Sequence, residues 1–276
     1  MFELPELVIL ARQMNETLKG KTIRRGQLGN SPHKFVWYNR THEEFERLTR
    51  GKTLGESWAR ARWLFIPLEP GYTLSLGECG GKILHHPPGS KVPKKYHLCI
   101  AFEDGSFLTA TTQMWGAMEL YERGKERDRK YIKGMKTTPI EPEFTFDYFS
   151  ALLDGLAGEK KGSAKGLLTQ DQIIPGLGNA IAQDILFKAH LHPKRPINDL
   201  SSSQRRTLYD AIVDTIGEVI ENGGRYDEYD LHNVRGNYVR IMDRKAVGRP
   251  CPECGCRIEK MQYLGGRCYF CPGCQK

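Results

Sequence analysis

Four cysteines near the C-terminal end stand in two pairs, Cys251-Pro-Glu-Cys254 and Cys271-Pro-Gly-Cys274, separated by 16 residues. Two C-x-x-C knuckles at that separation supply four thiolates able to close a tetrahedron around one zinc ion. The intervening stretch, 257–270, alternates well enough to form a short hairpin. A module this small buries too little apolar surface to fold alone, so the metal would supply its folding energy. Disulfides are the competing reading, disfavoured by the tight spacing within each pair and by the lack of any secretory pattern. With four protein ligands such a zinc is structural and does not locate the chemistry. Cys256 and Cys268 lie close enough in sequence to compete as ligands, whereas Cys79 and Cys99 read as free thiols.

A second candidate for chemistry is Gln172-Ile-Ile-Pro-Gly-Leu-Gly-Asn179. Glycines at 176 and 178 let the backbone approach a ligand closely, and a helix expected from Asn179 would open with unpaired N–H groups, an arrangement that favours phosphate. An ordinary Gly-rich turn between helices explains the same residues. Charge points the same way as the turn. The chain has 276 residues and a formal net charge of +8, and from Leu231 to Lys276 nine Lys or Arg stand against three acids. A basic face on a metal-held hairpin suits a polyanion, of which nucleic acid is the commonest, although a solvated basic surface accounts for charge alone. No apolar run reaches membrane length and the first residues lack a signal-peptide pattern, so a cytoplasmic protein with no membrane partner is expected.

The elements that must position these residues change period partway along. Leu4-Pro5-Glu6 opens a helix with Leu7, Leu10, Ala11, Met14 and Leu18 on one face, ended by Lys19-Gly20-Lys21. From Thr22 to about Tyr121 the pattern is mostly β, with strands predicted at Trp63–Leu68, Tyr72–Leu76, His97–Phe102 and Ser106–Ala110 and turns at 69–71 and 103–105. His85-His86 reads as a loop feature. The charge-dense stretch 122–130 reads as surface or linker. Beyond Phe144 the period is helical, with helices predicted at Phe146–Leu153, Lys160–Thr169, Asn179–Ala189 and from Ser201 to the stop at Asn222-Gly-Gly224.

Taken together these pieces resemble the formamidopyrimidine-DNA glycosylase / endonuclease VIII family. The resemblance runs the whole length, carried by Met1-Phe-Glu-Leu-Pro-Glu6, Pro175-Gly-Leu-Gly-Asn179-Ala-Ile-Ala-Gln-Asp184 and Gly265-Gly-Arg267-Cys-Tyr-Phe-Cys271-Pro-Gly-Cys274. It implies an α+β multidomain fold: an N-terminal helix plus β-sandwich (1–135), a helix–two-turns–helix domain (136–230) and a zinc finger (231–276), with DNA in the cleft between domains. The family's N-terminal proline amine attacks the sugar's anomeric carbon as the damaged base leaves, and an α-amino group titrates near ~7.7–8, leaving a useful neutral fraction. The next residue, Glu3 here, assists by proton transfer. Arg267 and Asn179, the latter following Gly178, would grip phosphates around a nucleotide flipped from the duplex.

The departures fall on the catalytic set. Position 2 is Phe2, so Met1 is expected to be retained and the free amine would be its own, one residue further out and primary. Misplacement of that kind lowers rates by orders of magnitude. The family's hairpin lysine aligns with Arg62, which keeps its proton and so makes a poor acid. Glu78 takes the place of an inserted Met, needing a partner if it faces phosphates, and Trp115 could stack as the wedge. Lys95 could touch a phosphate. The reading is a DNA glycosylase of base-excision repair with possible abasic-site lyase activity, monomeric, acting on double-stranded DNA with damaged bases or abasic sites. Its candidate catalytic residues are Met1, Phe2, Glu3, Arg62 and Arg267. A weakly catalytic or non-catalytic lesion-binding protein is the alternative, and another zinc-finger nucleic-acid binder stands behind it.

Overall fold

The computed structural model describes residues 1–30, 34–156 and 162–276. Two units divide the chain, one of Met1–Met135 with Ile220–Tyr238 and one of Lys136–Val219 with Val239–Lys276. In the first, helix α1 (Leu4–Thr17) carries Pro5 in its opening turn, and Glu6 Oε2 accepts from the Glu3 backbone N–H at 3.0 Å. That contact satisfies a donor the helix would otherwise leave unpaired. The stripe of Leu7, Leu10, Ala11 and Met14 is buried as the spacing requires.

The rest of this unit is β1 (Ile23–Leu28), β2 (Val36–Trp37), α2 (His42–Thr49), β3 (Thr53–Leu54), β4 (Trp58–Arg60), β5 (Trp63–Glu69), β6 (Tyr72–Gly77), β7 (Gly81–His86), β8 (Leu98–Phe102), β9 (Phe107–Thr112), β10 (Gly116–Glu122) and α3 (Lys130–Lys133). One sheet runs β1-β8-β9-β7 and the other β2-β10-β6-β5-β3, with β4 on β5. Leu64, Ile66 and Leu68 of β5 share one core with Ile83, Ile100 and Leu108 of the opposite sheet and with Leu10 of α1. This is a β-sandwich with a leading helix. The alternate side of β5 is buried as well: Trp63 and Phe65 pack with Ala117 and Ile132. The charge-dense stretch 122–130 is therefore more than a linker, since Glu126 is buried and Arg129 lies over the Trp63 ring at 4.5 Å.

Two local expectations are corrected here. Helix α2 interrupts the mostly β segment, because Thr41 Oγ1 accepts from Glu44 N at 3.2 Å while Glu44 returns the bond to Thr41 N at 2.9 Å. His85 and His86 lie in β7, not in a loop, paired with Leu108 and Phe107 of β9.

The second unit holds α4 (Phe146–Leu156), α5 (Ala164–Thr169), α6 (Ala182–Lys188), most of α7 (Ser202–Glu221) and the hairpin β11 (Glu259–Tyr263) with β12 (Gly266–Phe270). Lys160 and Lys161 of the helix expected over 160–169 lie outside the described residues. Helix α6 begins at Ala182, not Asn179; residues 179–181 form a turn ahead of it, although the Ala182 N–H bonds the Gly178 carbonyl at 3.2 Å with helical spacing. The turn before it uses Gly176 at φ +94, where a Cβ would be strained.

Candidate active site and nucleic-acid interface

Entry into α1 sets the N-terminal cluster of the first unit. Phe2 is 1 % exposed inside the sandwich core, and its N–H donates to the Cys79 carbonyl at 3.0 Å. A buried phenyl ring offers no nucleophile, and an amide nitrogen is not basic. Phe2 acts as the anchor that fixes the residues on either side. The basic nitrogen at this point is the Met1 amine, which lies 3.2 Å from Glu228 Oε1.

Behind it, Arg225 is 3 % exposed and gathers four partners. Its Nε meets Glu6 Oε1 at 2.8 Å, and its Nη2 reaches Glu6 Oε2 and the Met1 carbonyl, each at 3.1 Å. Glu228 Oε1 lies at 3.4 Å and Glu3 Oε1 at 4.0 Å. Burial works against the guanidinium's charge, but Glu6 and Glu3, with Glu228, outweigh it and hold its pKa above the ordinary value. Glu228 is pushed the other way for an acid: burial raises its carboxyl against the pull of Arg225 and the Met1 ammonium. The Cys79 thiol, fully enclosed, is pushed up to about 12 by burial and then by Glu78, so it is inert as a nucleophile.

Arg62 donates from Nη1 to Glu78 Oε2 at 3.3 Å, and the same nitrogen lies 4.0 Å from Met1 Sδ. Glu78 is thus paired, on a turn residue with φ +52 whose N–H bonds the Arg62 carbonyl at 3.2 Å. Trp115 is 42 % exposed and stacks on Trp37, ring centres 5.3 Å apart and planes within 4°. Phe35 meets its other flank at 4.8 Å. Met1, Glu78 and both indoles line a cavity of about 620 Å³ whose walls also include Trp63 and Arg129. Lys95 is exposed in the segment before β8 and is not part of that lining.

In the second unit, Asn179, exposed in the turn before α6, donates from Nδ2 to the Arg267 carbonyl at 3.1 Å. Buried Gln183 bonds the same carbonyl at 3.2 Å and accepts from Tyr269 N at 2.5 Å. Buried Lys165 donates to the Tyr263 carbonyl at 2.5 Å. These groups seat the hairpin tip against the α5–α6 turn and leave the Arg267 side chain exposed. Asn179, which follows Gly178, is therefore brought together with Arg267 through the Arg267 backbone.

The sulfurs of Cys251, Cys254, Cys271 and Cys274 all lie within 4.8 Å of one another, with 3.4 Å between Cys254 and Cys271 and 3.7 Å between Cys251 and Cys274. A tetrahedral site with Zn–S bonds of about 2.3 Å needs sulfurs about 3.8 Å apart, so the four fit a metal. Among the described residues they form the one such group, and it includes neither Cys256 nor Cys268.

Sequence reasoning missed Arg225 and Glu228. Glu3 and Glu6, both at the start of a helix whose apolar face is buried, were the available signal, because buried carboxylates require a cation.

Comparison with known proteins adds four findings. Residues 1–118 match the family described as formamidopyrimidine-DNA glycosylase N-terminal domain. Residues 136–229 match formamidopyrimidine-DNA glycosylase H2TH domain. Proteins called formamidopyrimidine-DNA glycosylase from Lactobacillus delbrueckii subsp. bulgaricus and Bacillus licheniformis are each 30% identical, over 287 and 281 residues, with 100% of both chains covered. The Lactococcus lactis Fpg solved with abasic-site DNA superposes with a TM-score of 0.86 at 23% identity, covering 99% of each chain, which establishes the shared fold.

Proposed function

The chain belongs to the formamidopyrimidine-DNA glycosylase family, and from that premise we propose that it excises damaged bases from duplex DNA in base-excision repair. One observation carries the catalytic part: the Met1 amine lies against Glu228, and Glu228, Glu3 and the Met1 carbonyl gather around a single buried arginine. The damaged nucleotide must leave the stack for its anomeric carbon to be reached. Arg267, presented by the seated hairpin, and Asn179 hold DNA phosphates. Lys95 and Trp115 are further DNA contacts in this reading.

The neutral Met1 amine attacks the anomeric carbon, forming a C–N bond as the glycosidic bond breaks. The proton shed by that nitrogen passes to Glu228, 3.2 Å away, and the departing base takes a proton relayed by Glu3. Glu228 returns its proton to the ring oxygen as the sugar opens to an iminium ion, which acidifies the neighbouring carbon; the Glu3 carboxylate takes that carbon's proton as its electron pair expels the 3′ phosphate. Arg62 neutralises phosphate charge at this step and gives up no proton. One structural zinc, held by Cys251, Cys254, Cys271 and Cys274, maintains the hairpin, and the protein acts as a monomer.

A weakly catalytic lesion-binding protein is the second reading. It is favoured by the ion pair at Met1, because an ammonium held by a carboxylate is not a nucleophile. Borohydride trapping on abasic-site DNA separates the two. The enzyme reading expects a covalent adduct that disappears when the N-terminus is acetylated. An adduct that survives N-terminal blocking would place the nucleophile on a side chain and overturn the Met1 assignment. No adduct, with abasic DNA still bound in preference to intact duplex, would establish the lesion binder.

A further inference from the structure

The four-cysteine group of the second unit has a fifth sulfur beside it. Cys254-Gly255-Cys256 follows the first knuckle without a break, so a C-x-C pair overlaps the C-x-x-C pair and shares Cys254 with it. Of the four candidate ligands Cys254 alone is exposed, whereas Cys251 and Cys271 are buried and Cys274 is half-buried. Cys256 is exposed as well, and it lies outside the tetrahedral group.

Backbone contacts fix where Cys256 stands. The Cys251 N–H donates to the Cys256 carbonyl at 2.7 Å, and the Gly255 N–H donates to the Cys251 carbonyl at 2.9 Å, which closes the segment on itself. Gly255 turns the chain between the two cysteines at φ +75, where a Cβ would be strained. The second knuckle supplies the remaining contact. Gly273 faces both sulfurs: a Cβ there would lie 2.6 Å from Cys256 Sγ and 2.8 Å from Cys254 Sγ. Two sulfurs so close to one point are near neighbours.

Their chemical states differ. A thiol bound to a metal is deprotonated outright, so the exposed Cys254 is held as the thiolate, the form that reacts with peroxide. Cys251 and Cys271 are shielded by burial. A redox-sensing thiolate needs a second thiol beside it to capture its sulfenic acid, and Cys256 stands there uncommitted to the tetrahedron.

We propose that Cys254 and Cys256 form a peroxide-sensitive dithiol whose disulfide opens the four-thiolate site and loosens the hairpin that presents Arg267. The proposal rests on the zinc reading of these cysteines. The Cys254 sulfur attacks one oxygen of hydrogen peroxide, forming an S–O bond as the O–O bond breaks, and the expelled hydroxide takes up a proton to leave as water. The Cys256 sulfur then attacks the sulfenic sulfur of Cys254. An S–S bond forms as the S–O bond breaks, and the Cys256 proton leaves with that oxygen as a second water. Two sulfurs give up two electrons, and one peroxide accepts them. Cys251, Cys271 and Cys274 remain, one ligand short of a closed structural site. A bridge spanning a single residue is strained and therefore readily reduced, so thiol and zinc together should restore the site.

The test uses full-length protein loaded with zinc, its metal content measured first, beside the Cys256→Ser variant, which alters an exposed position outside the ligand set. Both are treated with hydrogen peroxide while released zinc is read with a chromogenic chelator. Wild type should release zinc about tenfold faster than Cys256→Ser, because the second thiol acts intramolecularly. Mass spectrometry after alkylation should find one disulfide, between Cys254 and Cys256, with Cys251 alkylated. Wild-type affinity for abasic-site duplex should fall with zinc release and return with thiol and zinc, whereas Cys256→Ser should keep its affinity over the same interval. Equal release from the two proteins overturns the proposal, as does a bridge from Cys254 to Cys271, the sulfur 3.4 Å away. Absence of zinc from the untreated protein overturns the metal reading itself, and the proposal falls with it.

Discussion

Glu3, Glu6 and Glu228 lie around one buried guanidinium, so taking away Arg225 strips the shared cation from three carboxylates and leaves the Met1 ammonium beside Glu228. Breaking a buried ionic cluster by removing one partner costs about 3–5 kcal/mol. Arg225→Met should therefore lower the urea midpoint at pH 7 by that equivalent. The deficit should shrink as pH falls toward ~4, since acids with raised folded pKa values lose stability as pH rises through them and regain it on protonation. Glu228 sets that direction, because Arg225 pulls its carboxyl down against burial and removing Arg225 raises it further. A deficit that grows on acidification would contradict the cluster's electrostatics. At Phe2 the resemblance pointed toward chemistry, because it set the residue at the place expected for a nucleophile, and the structure puts it in the core. Phe2→Pro removes a buried ring and the N–H bonded to Cys79, so a loss of about 3 kcal/mol is expected by denaturant titration. Arg225 was unreadable because its burial depends on contacts 219 residues apart in sequence, which no local pattern encodes.

Elements with a strong apolar pattern were legible: the α1 stripe, the continuous apolar runs of β5 and β6, and the inward face of α7 at Leu208, Ile212, Ile216 and Val219 all lie where the residues required. Helix α2 was also written in the chain, as Thr41 followed three residues later by Glu44, yet the surrounding strands masked it. Thr41→Ala should cost about 1 kcal/mol by stripping the cap from the Glu44 N–H. In a unit of this size that corresponds to a melting temperature lower by roughly 2–4 °C. An unchanged melting curve would mean that α2 is held by Phe45 packing alone. The start of α6 was not legible, because the Gln183 side chain bonds the Asn179 carbonyl at 3.1 Å and stabilises a further turn ahead of the helix. Propensity has no term for such a side-chain bond. His85 and His86 looked like loop residues because histidine is a weak strand former, and their strand is dictated by pairing with β9.

At the scale of the molecule, the charge of +8 and the excess of basic residues after Leu231 were read directly from composition, but which of those residues meets phosphate depends on how the hairpin is seated. Lys165, Asn179 and Gln183 anchor its backbone from the helices of its own unit, and the four cysteines close its base. If those cysteines hold the proposed zinc, removing it should unfold β11–β12 and leave the β-sandwich unit intact. Calorimetry after chelation should show loss of one transition and retention of the other, with loss of both excluding independent units. Binding should follow the same logic. Each phosphate neutralised contributes about 0.9 to the slope of log affinity against log salt, so Arg267→Ala should reduce the slope by about 1 and weaken binding evenly across sequences. Gln183→Leu leaves Arg267 in place but frees its carbonyl and the Tyr269 N–H from their anchor. That variant should lower affinity while keeping most of the slope, because the charge is still present but no longer held in position. If Gln183→Leu and Arg267→Ala reduce the slope equally, the hairpin contributes charge alone, and the seating of its tip has no part in recognising DNA.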